Sequence, residues 1–71
     1  MNASVKMLRF ISEEFTERKG SPTLSQICGR LRMSSSKARV LLQELVDRGI
    51  LVEVKGDDDV SYFPAVDFHR L

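Results

Sequence analysis

Cysteine, histidine, proline and tryptophan are nearly missing: the 71 residues hold one cysteine, one histidine, two prolines and no tryptophan. A single thiol, Cys28, excludes an intrachain disulfide framework and any multi-cysteine metal site, and it accords with a reducing compartment. Apolar runs stop at three residues, as in Val40–Leu42 and Ile50–Val52, so nothing here has the length of a membrane span or a signal-peptide core. The lone histidine, His69, falls in the last three residues, where order is least assured. Cys28 sits at a core-facing helix position, where a small buried side chain is expected rather than a reactive thiol. Glu13, Glu14 and Glu17 line a solvated helix face rather than forming a catalytic pair. The adjacent Asp57, Asp58 and Asp59 lack the alternating ligand spacing of a calcium loop. The sequence therefore predicts no enzyme, no metal and no cofactor.

What is present suits one small domain spanning 1–71. The apolar fraction of 42% is ordinary for a globular chain and too high for a disordered one. At this size only about 60% of the unfolded surface is buried on folding, so the fold must be economical. A net charge of +1 hides an uneven distribution. Between residues 25 and 48, Arg30, Arg32, Lys37, Arg39 and Arg48 outnumber Glu44 and Asp47 for a net +3. Between residues 49 and 71, Lys55 and Arg70 face Glu53, Asp57, Asp58, Asp59 and Asp67 for a net −3. A basic middle followed by an acidic end needs an explanation.

Periodicity divides the chain into three helices and a hairpin. Ser4, Leu8, Ile11 and Phe15 recur at helical steps, flanked by Val5 and Met7, and predict a first helix over 3–19. Phe10 falls on the opposite side and requires a cover: the C-terminal tail, the hairpin or a second subunit. Gly20-Ser21-Pro22 turns the chain. Thr23-Leu24-Ser25-Gln26 is a capping-box pattern that opens a second helix over 24–31, with Leu24, Ile27 and Leu31 inward. Gly29 within it is either solvent-facing or closely packed. Ser34, Ser35 and Ser36 supply N-cap candidates for a third helix over 35–48, and Gly49 stops it. Ala38, Leu41, Leu42 and Leu45 form its inner face; Ser36, Val40, Gln43 and Asp47 lie opposite, with Lys37 and Arg39 on the flanks. The period then falls to two. Ile50, Val52 and Val54 alternate with Leu51, Glu53 and Lys55, Gly56-Asp57-Asp58-Asp59 turns, and Val60–Phe63 returns until Pro64 stops it. The prediction is a mainly α fold with a small β-hairpin over 50–63 and a tail over 64–71.

Two helices joined by a turn of about three residues cross steeply and leave space for few side chains between them. Ile27, Leu31, Met33, Ala38 and Leu41 fill the apolar places of such a unit, and Cys28 the small one. The start of the third helix combines backbone N–H groups, the positive end of the helix dipole, the serine hydroxyls and Lys37, a set suited to phosphate oxygens. Arg30, Arg32 and Arg39 extend that positive surface. Arg39 is matched to guanine, Gln43 to adenine and Val40 to a thymine methyl. The candidate DNA-binding set is thus Arg30, Arg32, Ser34, Ser35, Ser36, Lys37, Arg39, Val40 and Gln43.

The run Thr23-Leu24-Ser25-Gln26-Ile27, Ser34-Ser35-Ser36-Lys37-Ala38-Arg39 and Leu42-Gln43-Glu44-Leu45-Val46-Asp47-Arg48-Gly49-Ile50-Leu51 resembles bacterial winged helix-turn-helix regulators. It is similar to the N-terminal domain of LexA and to MarR-type proteins. In size and in the Ser34…Ala38-Arg39…Leu42…Leu45…Gly49 spacing it looks closest to the small PapI/FaeA/PefI regulators of fimbrial operons. The resemblance implies a cytoplasmic, sequence-specific, duplex DNA-binding transcription regulator with Ser35, Ser36, Lys37, Arg39 and Val40 in the major groove. It also implies the leucine-responsive regulatory protein as a second DNA-binding partner. The chain departs from the pattern at Arg32, where many such turns have glycine, and at the acidic hairpin tip, where DNA-touching wings present Lys or Arg. The aspartates either form and solubilise the turn or meet a basic partner. The competing reading is therefore a protein-binding winged-helix module using Asp57, Asp58, Asp59, Phe10 and Phe68. With no long extra helix to build an interface, a monomer is expected.

Overall fold

In the computed structural model, which describes residues 2–18 and 20–65, the order is α1 (Ala3–Arg18), α2 (Leu24–Leu31), α3 (Ser35–Asp47), β1 (Leu51–Lys55) and β2 (Val60–Pro64). Val66–Leu71, including the candidate partner residue Phe68, lies outside the described residues. Among the described residues, no helix is long and apolar enough to cross a membrane.

Each helix begins at a side-chain cap. Asn2 Oδ1 accepts the Val5 amide at 2.9 Å and starts α1. Thr23 and Gln26 form the reciprocal box of α2: the Gln26 amide donates to Thr23 Oγ1 at 3.2 Å and the Thr23 amide to Gln26 Oε1 at 2.9 Å. Of the three serines before α3, Ser34 is the cap, accepting the Lys37 amide at 3.2 Å. These bonds satisfy amides that a helix start otherwise leaves without partners. The turn between α2 and α3 runs through Arg32 in the left-handed region (φ 54°, ψ 50°), its amide bonded to the Cys28 carbonyl. The conformation that glycine commonly supplies is thus adopted here by an arginine, against a steric cost of roughly 1–2 kcal/mol.

The helix α3 ends at Asp47, one residue short of the predicted Arg48, which is the cap. Gly49 at φ 75° then allows its amide to reach the Val46 carbonyl and the Ile50 amide to reach that of Leu45, both at 2.9 Å. This Schellman closure leads into the following strand. Leu51, not Ile50, becomes the first strand residue and turns inward, whereas Val52 and Val54 face outward and stay 37% and 44% exposed. Val52 and Val54 therefore mark the outer side of the strand, while Ile50, just before it, packs against the core. Pro64 does not stop β2 but is its last residue, opposite Leu51. The next amide, Ala65, donates to the Ile50 carbonyl, so the proline nitrogen faces away from β1 and its missing N–H costs the ladder nothing. On that other side Tyr62 N–H donates to the Pro22 carbonyl at 3.0 Å, and Thr23 bridges Ser61. The two-stranded hairpin thus gains a third, very short strand from the residues that precede α2.

The core joins Met7 and Ile11 of α1, Leu24 and Ile27 of α2, Ala38, Leu42 and Leu45 of α3, and Leu51 and Tyr62 of the hairpin. Met7, expected beside the α1 stripe, is its wholly buried centre, and Phe15, expected within it, is 42% exposed and stacks on Phe63 of β2 with ring centroids 5.9 Å apart. Phe10 shares the Met7 and Ile11 side at helical spacing instead of opposing it, and packs against the core. Among the described residues, Arg30 of α2 lies over its ring; the tail lies outside the described residues. Gly29 proves solvent-facing: an added Cβ would meet nothing within 4 Å.

Candidate nucleic-acid interface

Burial of Ala38, Leu42 and Leu45 fixes which side of α3 faces out. By the rotation of about 100° per residue, Ser36, Val40, Gln43 and Asp47 take the opposite side, and all four are exposed. Val40 is 60% exposed, the largest value among the exposed aliphatic and aromatic residues. Since Ser34 is consumed as the cap, the free amides at the helix start are those of Ser35 and Ser36, whose hydroxyls stand beside them. Lys37 and Arg39 follow on the two flanks. The N-terminal half of α3 thereby combines unpaired donors, two cations and one apolar contact on a protruding surface.

The C-terminal half differs. Gln43 Nε2 donates to Asp47 Oδ1 at 2.8 Å, and a shallow groove there is lined by Arg39, Val40, Gln43, Glu44 and Asp47. Glu44 and Asp47 oppose phosphate, so the positive surface stops about two turns into the helix. Gln43, expected to pair with adenine, therefore has an internal partner that it must exchange to read a base.

The flanking arginines do not act alike. Arg32 is exposed beside the start of α3. Arg30 is turned to α1, its guanidinium carbon 5.5 Å from the centroid of the Phe10 ring. That cation–π contact gives Arg30 a structural task and sets it apart from the α3 group. Arg39 borders a second, larger groove between α3 and the hairpin, lined also by Glu53, Lys55, Asp59 and Tyr62.

The acidic tip divides in the same way. Asp57 and Asp58 are exposed. Asp59 is tied down: Ser25 Oγ donates to its Oδ2 at 2.7 Å, the Val60 amide to its Oδ1 at 2.8 Å, and its carbonyl accepts the Gly56 amide at 2.8 Å. The Ser25 hydroxyl first, then the Val60 amide, hold the Asp59 carboxyl below the usual carboxylate range, and Arg39 adds to this. Beneath it the Tyr62 hydroxyl donates to Glu53 at 3.2 Å. Burial, with the Glu53 charge second, pushes the Tyr62 phenol up to about 12, against a smaller opposing pull from Arg39. Neither the Ser25–Asp59 nor the Tyr62–Glu53 bond was legible from spacing. The available hint was Ser25 itself, an outward hydroxyl next to a cap already supplied by Thr23.

No protein-family model matches the chain, and no curated protein does. A solved structure from work on the DNA recognition and protein interaction domains of HOP2 is similar, with a TM-score of 0.71 and 18% identity over 89% of this chain and 98% of that one. At that identity the likeness concerns the fold: three helices followed by a two-stranded wing, a winged helix-turn-helix.

Proposed function

We propose that this winged helix-turn-helix binds duplex DNA as a sequence-specific transcription regulator, entering the major groove with the N-terminal half of α3. One observation carries the reading: Val40 is 60% exposed on the outward face, between Lys37 and Arg39 and above the free amides of Ser35 and Ser36. A valine bordered by cations and free amides is suited to a thymine methyl between two phosphates. That HOP2 structure is described in terms of both DNA recognition and protein interaction, which supports a DNA-binding or interaction role for a domain of this fold.

Only a few cations flank the reading helix, Arg30 is committed to Phe10, and the wing tip is acidic. Binding is therefore weak when the protein acts alone and is strengthened by a second DNA-binding protein. By the resemblance to fimbrial-operon regulators that partner is the leucine-responsive regulatory protein, in the cytoplasm, with this chain acting as a monomer and catalysing no reaction. Anisotropy titration of duplex DNA tests the reading. Absence of binding at low salt, with and without the partner, refutes it.

The exposed Asp57 and Asp58 favour a second reading, in which the hairpin docks a basic protein surface. Chemical-shift changes confined to Ser34–Gln43 on adding DNA, with the hairpin unmoved by candidate partners, would eliminate it.

A further inference from the structure

The three aspartates at the hairpin tip look equivalent in sequence and are not equivalent in structure. Asp57 and Asp58 project into solvent, whereas Asp59 reaches 34 positions back along the chain to Ser25 at 2.7 Å. It also lines the groove whose opposite wall carries Arg39. The only ion pair among the described residues joins Arg18 to Glu14, so Arg39 is within the field of Asp59 without being locked to it. In that groove Arg39 and Lys55 face Glu53, Asp57, Asp58 and Asp59, which leaves the local balance acidic.

We propose that Asp59 is the residue that sets the DNA affinity of this surface, latching the hairpin tip to the start of α2 and serving as the internal anion with which a DNA phosphate competes for Arg39. The inference rests on the DNA-binding reading above and deepens it. Ser25 and the Val60 amide hold the Asp59 carboxylate in place, so its competing charge is fixed, whereas Asp57 and Asp58 border the same groove without such a tether. Phosphate gains Arg39 only against that fixed charge. The latch therefore lowers nonspecific affinity, while leaving the serine amides and Val40 free to engage a correct site.

Asp59→Asn separates charge from position, because the amide oxygen can still accept the Val60 N–H while the amide NH2 donates to the Ser25 hydroxyl, which then acts as acceptor. Asp57→Asn removes the same charge from a side chain without those bonds. Binding of a short mixed-sequence duplex is measured by anisotropy at about 50 mM salt, where phosphate contacts count most, for wild type, D59N, D57N, R39A and R39A/D59N. The expected result is a gain of about fivefold for D59N, in the range of coupling between neighbouring charged groups, a clearly smaller gain for D57N, and no D59N gain in the R39A background. Equal gains for D59N and D57N overturn the inference, and so does a D59N gain that survives removal of Arg39. In both of those outcomes the wild type still binds and the DNA reading stands. Absence of duplex binding by every variant overturns the DNA reading and the inference together.

Discussion

Replacing Lys37 or Arg30 by alanine removes one positive charge in each case, yet the structure predicts different consequences. Lys37 flanks the outward face of α3, and Arg30 lies over Phe10. Three cations remain for phosphate: Arg32, Lys37 and Arg39. With a slope of about −0.9 per neutralised phosphate, the logarithm of affinity should fall with that of salt at about −2.7. Between about 50 and 200 mM salt that is a loss of roughly 40-fold. Lys37→Ala should flatten the slope to about −1.8 and the loss to roughly twelvefold. Arg30→Ala should leave the slope near the wild-type value and instead destabilise the fold by about 0.5–1 kcal/mol through the lost cation–π contact. Anisotropy titrations at four or more salt concentrations, paired with urea melts, measure both quantities. If Arg30→Ala flattens the slope as much as Lys37→Ala, or the wild-type slope is near zero, the assignment of cations to the interface is wrong.

Three further outcomes follow from the same geometry. Arg32→Gly should relieve the left-handed strain, raise stability by about 0.5–1 kcal/mol and weaken duplex binding, an opposition that thermal melts and titrations report together. Ser34→Ala should cost about 1 kcal/mol by removing the cap of α3; a melt unchanged from wild type would show that Ser35 takes over the cap. The Tyr62 phenol is raised to about 12 in the folded state from an ordinary value of 10.0. The folded state therefore holds its proton more tightly, and the associated stability is full below pH 10 and lost as pH rises towards 12. The melting temperature should fall across that interval, and Tyr62→Phe should abolish this component.

The elements were legible where one local signal decides them. Thr23 with Gln26, and Gly49 after a helical stripe, mark their boundaries through backbone chemistry that operates over a few residues. The inner faces of α2 and α3 followed from period alone. Phase was harder. The α1 stripe was displaced because Met7 and Phe10 compete with Leu8 and Phe15 on either side of the shared Ile11, and only packing against α2 and β2 selects among them. Alternation separated the two faces of β1 but left open which one turns inward; packing decides it, with Leu51 in the core and Val52 and Val54 exposed. Among candidate site residues, Ser35, Ser36, Lys37, Arg39 and Val40 were accessible to sequence reasoning because they share one helix. The tasks of Arg30 and Asp59 were not, since Phe10 and Ser25, their partners, lie in distant segments, and no periodicity links them.

The short strand before α2 has a mechanical consequence. Pro22 gives its carbonyl to Tyr62, Thr23 bridges Ser61, and the same Thr23 caps α2. A rotation of α2 must therefore drag β2 with it, and fraying of the hairpin must loosen the first turn of α2. The helix-turn-helix and its wing form one lever, not a rigid reader carrying a loose flap. Their amides should gain and lose hydrogen-exchange protection as one cooperative unit. Transplanting residues 23–48 into another scaffold without the hairpin would leave the fulcrum behind.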